Sequence, residues 1–157
     1  ALHIMRAEKG FIMIGDETDG TVIPQDLGLN WAISKKKDDY LGKRAQERTH
    51  MTDPARWKLV GLETLDGSVL PDGAYAIAEG ENANGQRNTQ GRVTSTYHSP
   101  TLGKGIAMGL VLNGPDRMGE VIEFARTAKD PEGNPRTVAA RIVDPVFHDP
   151  EGEKQNV

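Results

Sequence analysis

Strict alternation marks the stretch from Lys104 to Leu112: Ile106, Met108, Leu110 and Leu112 share one face of an extended chain, and Gly105, Ala107, Gly109 and Val111 share the other. Such a pattern predicts a strand, and the small second face suits close packing. Comparable stretches predict strands at Lys58 to Thr64, Ala74 to Ala78, Arg92 to Tyr97, Glu120 to Arg126 and Thr137 to Val143. Turn signals separate them at Asp66-Gly67, Asp72-Gly73, Asn113-Gly114-Pro115 and Asp130-Pro131-Glu132-Gly133-Asn134-Pro135. The polar run from Gly80 to Gln90 reads as an exposed loop that reverses at Asn84-Gly85, and the polar tail after His148 reads as loose. Six short strands predict a small barrel or Greek-key sandwich.

The first fifty residues have another texture. Leu2 and Met5 share a face at helical spacing, and Gly10 closes that helix. Phe11-Ile12-Met13-Ile14 reads as a short buried strand running into the turn-forming cluster Gly15 to Gly20. Asp26 to Trp31 leads into a second apolar step, then Lys35-Lys36-Lys37. A short helix is expected from Asp38 or Asp39 towards Arg48, acidic at its start and basic at its end, as the helix dipole prefers. His50 to Pro54 reads as a linker. No repeat of fixed period occurs. Ala1 stands already inside the helix-like segment, and the expectation is a fragment.

Composition narrows the classes. The 157 residues suit one ordinary domain, or a small domain carrying part of another. A net charge of -4 argues against general binding to nucleic acid or anionic membranes, which needs clustered positive charge. There is no cysteine, so thiolate chemistry and disulfides do not arise. No apolar run approaches the roughly 18 residues of a spanning helix, and no signal peptide opens the chain, so a soluble cytoplasmic protein is expected.

Several motifs dissolve on inspection. Gly103-x-Gly105-x-x-x-Gly109 is one residue too long for a dinucleotide fingerprint and lies within a strand. Asp16-Glu17-Thr18-Asp19-Gly20 lacks the glycine and glutamate positions of a calcium loop. His3, His50, His98 and His148 are too scattered for a zinc site or a histidine-based triad, and no metal is expected. Ser99 has no base near it in sequence, which leaves a serine nucleophile unsupported.

Glu8 is the first candidate. It lies in the last helical turn, where its charge opposes the dipole. On chemistry alone it reads as a surface acid balanced by Arg6 and Lys9; alternatively, a carboxylate's two coplanar oxygens match the N–H and amino edge of a reduced pterin or guanine-like ring. Lys35 to Lys37 read as a solvated face or as partners for an anionic ligand tail. Trp31 reads as core. Tyr97 and His98 could face a cleft or serve packing, and Arg92 and Arg141 read as outward charges on strands.

Two phrases in order, Arg6-Ala7-Glu8-Lys9-Gly10 and Ser99-Pro100-Thr101-Leu102-Gly103, resemble the folate-binding aminomethyltransferase superfamily, which includes the glycine-cleavage T-protein and the carboxy-terminal part of the heterotetrameric sarcosine oxidase alpha subunit. Leu29-Asn30-Trp31, Tyr40-Leu41-Gly42-Lys43, Gly91-Arg92-Val93-Thr94-Ser95 and Ile106-Ala107-Met108-Gly109 extend the likeness. The stretch Phe11 to Val22 with Lys36 to Gly42 is most similar to the sarcosine oxidase branch.

The resemblance implies a mainly β fold with minor α: residues 1–52 as the α+β edge of a folate-binding domain, 53–148 as a six-stranded Greek-key or jelly-roll-like barrel, and 149–157 as a flexible tail. It implies transfer of the carbon unit from oxidised sarcosine to tetrahydrofolate, giving 5,10-methylenetetrahydrofolate. Glu8 would hold the pterin. Lys37 stands where the T-protein branch has a folate-contacting arginine. FAD, FMN and NAD would be bound elsewhere in the complex, with the other subunits as partners. The family's catalytic aspartate falls on no residue here, so no catalytic residue is assigned and the segment alone is expected to be silent. The alternatives are a T-protein or dimethylglycine dehydrogenase segment, or a non-catalytic docking barrel.

Overall fold

Strands form where the alternating stretches end at glycines that can take positive φ, such as Gly67 (φ 72°) and Gly73 (φ 66°). In the computed structural model, which describes residues 1–129 and 135–155, they are β1 (Trp57–Thr64), β2 (Tyr75–Ile77), β3 (Thr89–Ser99), β4 (Lys104–Leu112), β5 (Val121–Lys129) and β6 (Pro135–Val143). The loop expected before Pro135 and the last two residues of the tail lie outside the described residues. The strands close into an antiparallel barrel in the order β1-β4-β3-β2-β5-β6. Hairpins join β2, β3 and β4, while β1 returns to lie beside β4, a Greek-key arrangement. The expected fold class holds.

Both faces of β4 are buried, for different reasons. Its small face points into the barrel, where Ala107 and Val111 pack with Val60, Leu62, Phe124 and Ile142. A Cβ on Gly109 would stand 2.8 Å from the Arg92 carbonyl oxygen and 2.8 Å from Leu62 Cδ1, so glycine is what lets the strands close. Its large face, Ile106, Met108 and Leu110, packs outward against Ala7 and Leu27 of the amino-terminal segment. The first helix, α1 (Leu2–Glu8), therefore lies against β3 and β4.

Three expectations fail in the amino-terminal segment. Phe11 to Ile14 is no strand: it makes a single isolated bridge, Ile14 with Thr18, and Ile14 is 90% exposed. Its backbone is engaged in a tight turn, with the Met13 carbonyl accepting from the Asp16 and Glu17 amides and the Met13 amide donating to the Glu17 carboxylate. Trp31 is not core but 80% exposed, in a 3₁₀ turn over Asn30–Ala32. The second helix, α2 (Lys43–Gln46), is far shorter than expected, because Gly42 adopts φ 95° and stops it from reaching back to Asp38. Exposed large apolar side chains gather in this segment, at Leu2, Met5, Phe11, Ile14, Trp31 and Leu41.

Candidate functional site

The two phrases that stand out in the sequence meet in space. Glu8 ends α1 and is 6% exposed, and Ser99, at the end of β3, donates from Oγ to Glu8 Oε1 at 2.5 Å. Turn chemistry sets the hydroxyl: the Leu102 amide donates to Ser99 Oγ at 3.0 Å, and the Gly103 amide to the Ser99 carbonyl at 2.8 Å. The other side of the site comes from the chain after β6. Phe147 and His148 donate their amides to the Glu8 carbonyl at 3.0 and 2.9 Å, satisfying an oxygen that the helix end would otherwise orphan. Lys9 Nζ reaches the Asp149 carbonyl at 2.5 Å and its Oδ2 at 3.3 Å, which ties down the first residue of the expected tail. A Cβ on Gly10 (φ 68°) would stand 2.8 Å from the Pro145 carbonyl oxygen, so the crossing admits only glycine.

Glu8 is thus a buried acceptor, not the solvated acid that its neighbours in sequence suggest. Arg6 does not balance it. Arg6 turns instead to Glu17, with Nη1 2.9 Å from Oε2, and also donates to Ser95 Oγ at 2.6 Å and Tyr97 Oη at 3.2 Å. Glu17 is fully buried, and it also accepts from the Met13 amide at 2.7 Å, Thr94 Oγ1 at 2.9 Å and Ser95 Oγ. Every lone-pair position of this carboxylate is used by the protein, so it holds the loop to β3 and offers nothing to a ligand. Glu8 differs. Among the described residues only Ser99 donates to its carboxylate, and Oε2 is not among the shielded polar atoms left without partners. Among the described residues, Oε2 is therefore an acceptor with no protein donor.

Lys37 lies apart. Lys35, Lys36 and Lys37 are all exposed in the irregular stretch before α2; the Lys36 amide donates to Ser34 Oγ at 3.3 Å, and among the described residues none of the three ammonium groups makes a hydrogen bond or ion pair. The structure does not bring Lys37 into contact with Glu8. Arg92 is half-buried and pairs with Asp19 at 3.2 Å, whereas Arg141 is exposed as expected. Tyr97 serves packing, with its ring beneath the Arg6 guanidinium and stacked near His3. Clefts of about 440 and 600 Å³ lie elsewhere, one between Asp19, Asp26, Arg56 and Arg92 and the other beside Arg87, Arg117 and Glu120. Neither has Glu8 or Lys37 in its wall. Among the described residues, no three His, Asp or Glu gather as metal ligands, and no helix is long and apolar enough to cross a membrane.

Sequence reasoning missed Ser99, Arg6 and Glu17 as partners. Glu17 sits among three other polar turn formers, and no local signal separates it from them. Ser99 carried one usable signal, its place in a phrase paired with that of Glu8.

A closed six-stranded barrel carrying a buried glutamate on an appended helix defines a class, and residues 58–149 match the glycine cleavage T-protein C-terminal barrel domain. The chain belongs to that family. It is 40% identical over 157 residues to the sarcosine oxidase subunit alpha of Corynebacterium sp. strain P-1, covering 99% of this chain and 15% of that protein. It is 31% identical over 124 residues to the aminomethyltransferase of Thermosipho melanesiensis, covering 79% of this chain and 31% of that one. The crystal structure of the glycine cleavage system aminomethyltransferase T from Bartonella henselae shares the fold, with a TM-score of 0.71 at 24% identity over 92% of this chain and 37% of the other. The chain thus spans about 15% of the length of the sarcosine oxidase relative.

Proposed function

We propose that this chain is the folate-domain edge and terminal barrel of a sarcosine oxidase alpha subunit, in which Glu8 anchors the pterin of tetrahydrofolate. The carrying observation is Glu8 itself, buried, fixed through Oε1 and open at Oε2. The reduced pterin edge presents N–H donors, and an acceptor without a protein donor is the group that fits them. Identity of 40% along nearly the whole chain supports the sarcosine oxidase branch over the aminomethyltransferase branch.

Tetrahydrofolate supplies the amine nitrogens that accept the one-carbon unit from oxidised sarcosine, giving 5,10-methylenetetrahydrofolate. This chain contributes binding and orientation. Glu8 fixes the heterocycle, and Lys37 draws the glutamyl tail or aminobenzoate carbonyl as a mobile point charge, without the planar fork of an arginine. Proton transfer at the reacting nitrogen belongs to an acid on another part of the enzyme. FAD, FMN and NAD are likewise assigned to other regions and subunits. The exposed apolar side chains between Leu2 and Leu41 support a face that is covered in the assembled enzyme.

Calorimetry of the intact polypeptide with tetrahydrofolate under anaerobic conditions tests the reading. Glu8→Gln keeps the shape but turns one acceptor into a donor, and a loss of about 1.5–3 kcal/mol is expected. Unchanged affinity rejects Glu8 as the anchor. A preference for aminomethyl donors over oxidised sarcosine would favour the T-protein activity instead.

A further inference from the structure

We propose that Ser99 is the positioning residue of the folate site: it sets the plane of the Glu8 carboxylate and so aims the acceptor that meets the pterin. This inference rests on the reading of Glu8 given above and adds a second residue, 91 positions away in sequence, to the same site.

A serine hydroxyl has one proton to give and two lone pairs to receive. In Ser99 the Leu102 amide takes a lone pair at 3.0 Å, and the single proton goes to Glu8 Oε1 at 2.5 Å. The side chain is fully buried, so no water competes for that proton. The direction of the bond is therefore fixed by the barrel and not by the helix. Leu102 lies in the tight turn between β3 and β4, closed by the Gly103 amide on the Ser99 carbonyl at 2.8 Å, and β4 is among the most deeply buried strands. The helix supplies the carboxylate, and the barrel supplies its orientation.

This division has a consequence for binding. A glutamate free to rotate would have to be ordered by its ligand, at a cost in affinity. Here Oε1 is held before any ligand arrives, and Oε2 is left without a protein donor among the described residues. Oε1 keeps one further lone pair, so the two-point match to an N–H edge survives the serine bond. Glu17 is the counter-example in the same fold: it takes donors on both oxygens and has no such opening.

The test compares Ser99→Ala and Glu8→Gln in the intact polypeptide by anaerobic calorimetry with tetrahydrofolate, together with a crystal structure of the serine variant. Ser99→Ala is expected to weaken binding about tenfold, the scale of one lost hydrogen bond to a charged acceptor. It is also expected to leave Glu8 in more than one rotamer on an unchanged barrel. Should the alanine variant not fold, Ser99→Cys keeps the volume and weakens the donor, and it is read in the same two ways. A purely structural serine would leave the Glu8 orientation single, or would leave affinity untouched, and either result overturns the proposal. If Glu8→Gln itself binds tetrahydrofolate as tightly as wild type, it is the anchor reading that fails.

Discussion

Arg6 Nη1 and Glu17 Oε2 lie 2.9 Å apart, with the carboxylate wholly shielded from solvent and the guanidinium side chain nine-tenths so. The pair sits between α1, the turn behind it and β3, and it draws in Thr94 and Ser95 as donors. It fastens the amino-terminal segment to the barrel two residues, about half a helical turn, before Glu8. The structure thus separates two acids of similar burial: one is saturated and structural, the other is held on one side and open on the other.

Breaking that pair should be costly. Glu17→Met leaves the shielded Arg6 guanidinium with only the more exposed Asp16 carboxylate, 3.3 Å away, as counter-ion and strands the Ser95 hydroxyl proton and the Met13 amide, so a loss of about 3 kcal/mol, the low end for breaking a buried pair, is expected in urea unfolding. Replacing both residues with methionine should recover part of that loss, because the charge left with its weaker partner disappears. A single variant within about 0.5 kcal/mol of wild type, the range of an ordinary surface change, would show that the pair is not structural.

Two glycines should respond to alanine in opposite ways. At Gly109 the new methyl meets the Arg92 carbonyl oxygen and Leu62 at 2.8 Å inside the barrel, and a loss of about 1–3 kcal/mol is expected. At Gly20 nothing lies within 4 Å and φ is not positive, so alanine should be neutral or stabilise by about 0.4–1 kcal/mol through the unfolded chain. Thermal melts of the two variants decide the matter, and equal effects would contradict this account of the barrel closure.

The barrel was legible because its strands carry their own boundaries. Lys104–Leu112 is found where the alternation places it, and the other strands begin or end within a few residues of their turn signals. The topology was less so, since the pairing of β1 with β4 and β6 joins residues far apart in sequence. The amino-terminal segment misled for a different reason. Phe11, Ile14 and Trp31 are apolar yet exposed, and a pattern argument assumes that apolar residues find cover within the chain it is given. The candidate site was legible as two phrases, and the Glu8–Ser99 bond joins them. The role of Glu17 was not, because burial of one acid among several depends on where the loop folds back onto β3.

Asp26 and Arg56 form the second polar lock, at the start of the barrel. Arg56 Nε lies 2.8 Å from Asp26 Oδ1, its Nη2 lies 2.5 Å from Oδ2, and its remaining donors reach the His50 and Thr21 carbonyls. The bond to Asp26 holds the guanidinium above its ordinary pKa. Lysine cannot reproduce this fork, so Arg56→Lys should cost about 1–3 kcal/mol despite keeping the charge. Chemical denaturation checks it, and a neutral result would mean that the fork contributes no more than its charge.

Acid should weaken the molecule through two surface carboxyls. The Arg117 guanidinium holds the Glu120 carboxyl below its usual range by a side-chain hydrogen bond, and Thr21 does the same for Asp19 through its hydroxyl and amide. A depressed carboxyl is ionised more readily in the folded state, so its contribution is present above the unfolded values, about 3.9 for Asp and 4.3 for Glu, and is lost as pH falls through the lower folded values. Both side chains are nearly half exposed, which limits each to a few tenths of a kcal/mol. Melting temperatures followed from pH 6 down to about pH 3 should therefore fall less steeply in an Asp19→Asn, Glu120→Gln double variant than in wild type. Parallel curves for the two proteins would show that neither carboxyl is linked to folding.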